Sequence, residues 1–209
     1  EGVLTLPKNR QPKSCPVVLG VHGAGVVPAQ PHNFLAQAKK GAILFEINAH
    51  GLPNTNQEKF YVDLFANELF EYKKINCRDR NEYYFLKVFL RMLRGLEFLK
   101  DLPEWDGKRL FIRGSSQGGA QAIAGAYLDQ DVTGFIATVP GLCDHTAAMV
   151  DRVPGWPNLA PYEKGKKPDP KIIECMRYYD SVNFLKNTTA EGFFSASLLD
   201  TVCKPTSIY

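Results

Sequence analysis

Gly114, Ser116 and Gly118 alternate in the run Gly114-Ser115-Ser116-Gln117-Gly118-Gly119. A serine framed by glycines at that spacing, where a strand passes into a helix, is the arrangement that presents a hydroxyl for acyl transfer. The glycines have a steric task, because the turn is so tight that side chains two positions either side of the serine would strike neighbouring backbone. Ser116 is then held exposed at the sheet edge, close to the positive end of the helix that follows. A Gly-Ser helix N-cap is the bland alternative, but it does not account for three glycines around one serine. Ser115 supplies a neighbouring hydroxyl that lies off the motif's register.

A serine nucleophile needs donors for the oxyanion and an acid–base pair behind it. One donor is the backbone N–H after the nucleophile, here Gln117. The other comes from the loop after an earlier strand. His22-Gly23-Ala24-Gly25 has the position and composition for it, with the N–H of Ala24 as donor. His22 opens that glycine turn and reads first as its brace, with a place in the substrate pocket as the sharper alternative. The acid is expected after the serine in the chain. Asp200, at the end of a strand-like segment and ahead of Thr201-Val202-Cys203-Lys204-Pro205, fits it, with a helix N-cap as the other reading. Asp144, in Cys143-Asp144-His145, is the alternative acid.

The elements that must position these residues alternate. Apolar runs at 17–21, 42–47, 110–112, 132–139 and 192–199 read as strands, several of them buried on both faces. Helical patterns fall at 34–40, stopped by Gly41, at 82–99, 117–128 and 172–178. In the helix at 82–99, Leu86, Phe89, Leu90, Leu93 and Leu96 form the expected core stripe. Ala120, Ala122, Ala124, Gly125 and Ala126 keep the helix after Ser116 thin enough to lie close on a sheet. Between 140 and 170 the chain turns irregular, with five prolines from Pro154 to Pro170, and reads as a lid-like segment or pocket wall. Trp156 and Tyr162 on it suit stacking against a sugar ring or sealing the surface, and Lys164, Lys166 and Lys167 read as a solvated run. Alternating strands and helices define an α/β fold, a mostly parallel sheet with helices on both faces and functional loops at its carboxyl edge.

Composition narrows the classes. With 209 residues, 44% hydrophobic and 22% charged, the chain is expected to form one α/β domain and excludes disorder. A net charge of +3 with no basic stripe gives no nucleic-acid footprint. No apolar run approaches the roughly 20 residues of a membrane helix, so no membrane partner is expected. Five dispersed cysteines without a Cys-x-x-Cys pair read as small buried hydrophobes, not as a disulfide framework. The chain opens on Glu1 beside a strand-like segment, so a trimmed start is expected. The reading is of a soluble chain whose compartment, secreted and periplasmic included, stays open.

Four separated motifs, in order, carry a resemblance: Gly114-Ser115-Ser116-Gln117-Gly118-Gly119, Val139-Pro140-Gly141-Leu142-Cys143-Asp144, Tyr178-Tyr179-Asp180-Ser181-Val182-Asn183-Phe184 and Leu199-Asp200-Thr201-Val202-Cys203-Lys204-Pro205. Together they resemble the acetyl xylan esterase / cephalosporin-C deacetylase family of α/β-hydrolases. The likeness spans the chain from about Val17 onward. It implies an α/β-hydrolase fold and a serine esterase that removes acetyl groups from xylo-oligosaccharides and related small esters, without metal or organic cofactor. It implies Ser116 as nucleophile, Asp200 as acid, and the backbone N–H groups of Gln117 and Ala24 as oxyanion donors. Family members are often homo-oligomers. Two departures stand out. Many members carry tyrosine at the position of Ala24, and Asn48-Ala49-His50-Gly51 stands where many have an Arg-Gly-Gln-Gly type turn.

The family's histidine lies one helix and one strand beyond the acid. Only nine residues follow Asp200, and a parallel crossover alone takes a dozen or more. The triad histidine is therefore expected beyond Tyr209. The 209 residues then read as an incomplete domain cut between acid and base and nearly inactive alone, with 204–209 as the first turn of an interrupted helix. His22, His32, His50 and His145 are the histidines within the chain. His145, which follows the strand at 132–139 on the same edge, is the substitute base, or else lines the cleft or anchors the irregular segment. Competing readings are a catalytically silent binding module of the same fold and a serine hydrolase of other substrate class, peptidase or dienelactone-type.

Overall fold

The computed structural model describes residues 1–30, 35–54, 57–161 and 163–209. Its centre is a six-stranded sheet of order β1-β3-β2-β4-β5-β6. The strands are β1 (Gly2–Thr5), β2 (Cys15–Val21), β3 (Ile43–Ile47), β4 (Trp105–Ser115), β5 (Gly134–Thr138) and β6 (Glu191–Ser195). All neighbours are parallel except β1, which pairs antiparallel with β3 at one edge. Among the described residues six α-helices connect or flank them: α1 (Leu35–Lys39), α2 (Glu58–Ala66), α3 (Tyr84–Lys100), α4 (Gln117–Leu128), α5 (Pro170–Arg177) and α6 (Ser181–Leu185).

Alternation along the strands sorts the two faces. Val17, Leu19 and Val21 of β2, Leu110 and Ile112 of β4, and Phe135 and Ala137 of β5 enter one large core with Phe85, Val88, Met92, Leu96 and Leu99 of α3 and the small residues of α4. On the other face Val18 and Leu44 meet Ala38 of α1 in a small satellite cluster. Beyond it, Phe111, Ile136 and Phe193 stay 37%, 44% and 65% exposed.

Several elements differ from the sequence expectation. The buried stripe of α3 runs through Phe85, Val88, Phe89, Met92, Gly95, Leu96 and Leu99, while Leu90 is half exposed. The stripe turns because Gly95 lets α3 approach β2 closely. A Cβ there would stand 2.9 Å from Leu19 Cδ1, so the helix rolls its small residue toward the sheet. β4 runs over eleven residues, not three, because it pairs on both sides, with β2 and β5. β6 ends at Ser195 rather than Leu199. The backbone turns there, with Asp200 N–H donating to Ser197 O at 3.1 Å. At 204–209 the chain forms a short 3-10 turn, Pro205–Ser207.

The irregular stretch at 140–170 is packed for much of its length. Pro140 to Cys143, Ala147, Ala148, Pro154, Gly155 and Ala160 are buried, whereas 149–153 and 163–167 are exposed. All five cysteines are free thiols, and four of them are buried. No helix among the described residues is long and apolar enough to cross a membrane.

Candidate active site at the carboxyl edge of the sheet

Ser116 is the single residue between β4 and α4, with φ +55° and ψ −119°. A non-glycine side chain in that region costs about 1–3 kcal/mol, so the surroundings must impose it. Three hydrogen bonds do so. The Ser116 N–H donates to Thr138 O at 2.9 Å, and its carbonyl accepts from Gly141 N at 2.9 Å and Ala120 N at 3.2 Å. The flanking glycines are required by contact: a Cβ on Gly114 would collide with the Gly118 backbone, and one on Gly118 with the Val21 carbonyl. The Ser116 side chain makes no capping bond to its helix. Its hydroxyl faces Cys203 Sγ at 3.5 Å.

The two expected backbone donors lie on segments that adjoin the elbow. Gln117 opens α4, where geometry leaves first-turn N–H groups without intrahelical acceptors. The loop Gly23–Gly25 lies directly against the elbow, since a Cβ on Gly23 would be 3.7 Å from Ser116 Cβ. Among the described residues neither Ala24 N–H nor Gln117 N–H is taken up by a backbone carbonyl. Ala24 itself is exposed, and its methyl anchors nothing.

Asp200 and the elbow are linked through Cys203. Asp200 Oδ1 accepts from Val202 N at 2.8 Å and Cys203 N at 2.9 Å, which seats the buried Cys203 thiol against Ser116. Burial pushes the Cys203 thiol upward from its usual range, so it stays protonated, with the Ser116 hydrogen bond opposing. Asp144 is ion-paired to Arg152 at 2.8 Å, and its carboxyl is raised chiefly by burial.

The histidines are occupied in different ways. His22 Nδ1–H donates to Gly23 O at 2.8 Å, and its Nε2 accepts from Ala49 N at 3.0 Å. His50 Nε2–H donates to Gly25 O at 3.0 Å, and its Nδ1 accepts from Tyr84 OH at 2.7 Å. Both are held neutral. Burial lowers His22, and burial followed by the charge of His22 lowers His50 to about 4. His145 is buried, its backbone N–H donates to Asp180 Oδ2 at 2.7 Å, and its ring Nε2 has no partner among the described residues. Burial lowers its proton affinity, with Asp180 opposing. His32 and Tyr162 lie outside the described residues.

Trp156 packs inward. Its ring meets Phe85 edge-on at 6.3 Å, and its carbonyl accepts from Leu142 N at 2.6 Å. A Cβ on Gly141 would come within 2.9 Å of the indole, so Trp156 braces the segment that hydrogen-bonds the Ser116 carbonyl. Tyr72 and Tyr84 are the site-forming residues that sequence reading missed. Tyr72 OH donates to Gln117 Oε1 at 2.6 Å, and its ring meets His50 edge-on at 4.7 Å. No local spacing signals either contact. Among the described residues no group of three or more His, Cys, Asp or Glu could hold a metal ion.

A strained serine between a central parallel strand and a thin helix, faced by a glycine loop from the neighbouring strand, defines the α/β-hydrolase class. The chain belongs to the acetyl xylan esterase family, whose model matches residues 1–209. The acetyl esterase Axe7A of Xylanibacter ruminicola is 35% identical over 214 residues, which take in 100% of this chain and 47% of that protein. The chain thus spans about half the length of that curated relative. Among solved structures, an acetyl xylan esterase from a Paenibacillus species superposes with TM-score 0.79 at 23% identity, over 99% of this chain and 67% of the other. One from a Thermoanaerobacterium species gives 0.73 at 18%, over 99% and 66%. The acylaminoacyl peptidase of Pyrococcus horikoshii shares the fold at TM-score 0.66 and 20% identity, over 99% of this chain and 31% of that one.

Proposed function

We propose that the protein is a serine carboxylic-ester hydrolase that deacetylates acetylated carbohydrate, xylo-oligosaccharides above all, through an acyl-enzyme. The observation that carries the reading is Ser116 at φ +55°, held between β4 and α4 with its side chain free of capping duty. Family membership and the acetyl esterase relative support the choice of an acetyl ester.

In the proposed reaction Ser116 Oγ attacks the acetyl carbonyl carbon while a base takes its proton. The carbonyl π pair moves onto oxygen, where the N–H groups of Gln117 and Ala24 receive it. Collapse expels the sugar oxygen, which takes the proton back, and leaves an acetyl ester on Ser116. Water repeats the sequence, releasing acetate and the free serine. Asp200 is the acid that orients the base, and Cys203, seated between them, fixes the Asp200 turn against the elbow. In His22 and His50 both ring nitrogens are engaged, and His145 is fully buried beside Asp180, where burial lowers its proton affinity. The base is therefore assigned to a histidine outside the described residues.

The test is hydrolysis of an acetyl ester by the full-length protein. Ser116→Ala is expected to lower kcat at least ~10³-fold without changing the fold. Undiminished turnover by Ser116→Ala would overturn the assignment.

A further inference from the structure

The loop that carries Ala24 has no side chain of its own to hold it. Gly23 and Gly25 lack one, Ala24 has an exposed methyl, and Gly25 sits at φ +120°. A donor on so permissive a segment is useful only if its direction is fixed before the oxyanion forms. We propose that His22 and His50 are positioning residues that form a clamp on this loop, holding the carbonyls of Gly23 and Gly25 and so aiming the Ala24 N–H toward the Ser116 hydroxyl. The activity arm of the argument rests on the ester-hydrolase reading above.

Peptide planarity makes the link direct. Gly23 C=O and Ala24 N–H belong to one peptide unit and point in opposite directions within its plane. His22 Nδ1–H holds that carbonyl at 2.8 Å, which fixes the direction of the N–H. His50 Nε2–H holds Gly25 O at 3.0 Å, which fixes where the loop leaves. Each imidazole is itself locked from behind, His22 by the Ala49 N–H and His50 by the Tyr84 hydroxyl. The partners dictate opposite tautomers, and burial keeps both rings neutral, so each presents one donor and one acceptor.

The same cluster reaches the other donor. Tyr72 lies edge-on to His50 and donates through its hydroxyl to the Gln117 side chain at 2.6 Å. His50 thus stands at the junction between the two arms of the oxyanion site. It does so at a turn where Asn48 is also anchored, by donation of its side chain to Val27 O at 2.9 Å.

The decisive experiment compares the full-length wild type with His22→Ala, His22→Asn, His50→Ala, His50→Gln and Tyr84→Phe. Asn and Gln each retain one donor near the position of the original N–H. Two quantities are read: kcat and KM on an acetyl ester, and amide hydrogen exchange of the 22–26 segment, with the interior of α3 as internal reference. The alanine variants are expected to exchange at 22–26 at least ~10-fold faster and to lose ~10- to 100-fold in kcat with KM within ~2-fold. The Asn and Gln variants should recover to within ~3-fold of wild type, and Tyr84→Phe should fall between. It also keeps the His50 arm readable if His50→Ala fails to fold. Unchanged exchange at 22–26 in the alanine variants overturns the clamp, as does a loss confined to KM or no recovery by Asn and Gln. If the wild type hydrolyses no acetyl ester, the functional reading fails while the exchange arm still decides the clamp.

Discussion

An imidazole acts as a general base only while one ring nitrogen keeps a free lone pair. At His50 the structure spends both nitrogens on neighbours and buries the ring, which pushes its pKa from 6.5 to about 4, burial being the largest cause. The unfolded chain takes up this proton near pH 6.5, the folded chain only near 4. The neutral ring is therefore fully accommodated above pH 6.5, and stability is lost as the pH falls from there to about 4, by about 3 kcal/mol in all. His50→Gln removes that titration while keeping a donor. Its urea midpoint should fall less steeply than wild type between pH 7 and 4, and parallel curves would refute the assignment. At this scale, what could be read from sequence was what sits close together in sequence. The glycines around Ser116 and the glycine turn after His22 are neighbours along the chain. Tyr84 and Tyr72 were illegible because their hydroxyl partners lie 34 and 45 positions away.

Between β4 and α4 the constraint is backbone against backbone. Helix propensity alone ranks alanine about 1 kcal/mol above glycine, so Gly118→Ala within α4 would be expected to stabilise. Contact predicts the reverse, since the new methyl would collide with the Val21 carbonyl of β2. Gly118→Ala should destabilise by about 3 kcal/mol or more, and more than Ala122→Gly one turn along, as read by thermal unfolding. A Gly118→Ala protein as stable as wild type would show that the elbow has room for a methyl group beside the Val21 carbonyl. The existence of β2, β3, α3 and α4 was legible because each carries its own apolar period. The face that α3 buries was not, because its stripe is turned by Gly95 against Leu19 of another element. The strand-like segment beside Glu1 is a strand, β1, but its place was not legible: four residues carry no partner preference, and the register Gly2↔Ile47 to Thr5↔Leu44 sets them antiparallel at the sheet edge. The extent of β4 follows from partners on both sides rather than from its own composition.

The two faces of the sheet are covered unequally, and that sets the solution behaviour of the 209-residue chain. α3, α4 and α6 cover one face, whereas on the other, among the described residues, α1 packs in a small cluster with Val18, Ala42 and Leu44. Phe111, Ile136 and Phe193 line an open hollow of about 460 Å³ beside Val18 and Leu44. In β5 and β6 the register sets Ile136 opposite Phe193, so the two side chains form one contiguous apolar surface. A patch of this kind draws dyes and other apolar surfaces out of water, and a net charge of +3 offers little repulsion between copies. The chain expressed alone is therefore expected to bind an apolar fluorescent dye and to self-associate at high concentration. Changing Ile136 and Phe193 together to lysine should abolish most dye binding and shift the self-association to higher concentration. Because both positions are substantially exposed, stability should change by only about 1 kcal/mol. Ile112→Ala, one residue from Phe111 but fully buried on the other face, should cost about 2–5 kcal/mol and leave the patch in place. Dye binding and sedimentation on the two variants separate the two faces: dye binding that survives the double lysine substitution would place the sticky surface elsewhere on the molecule.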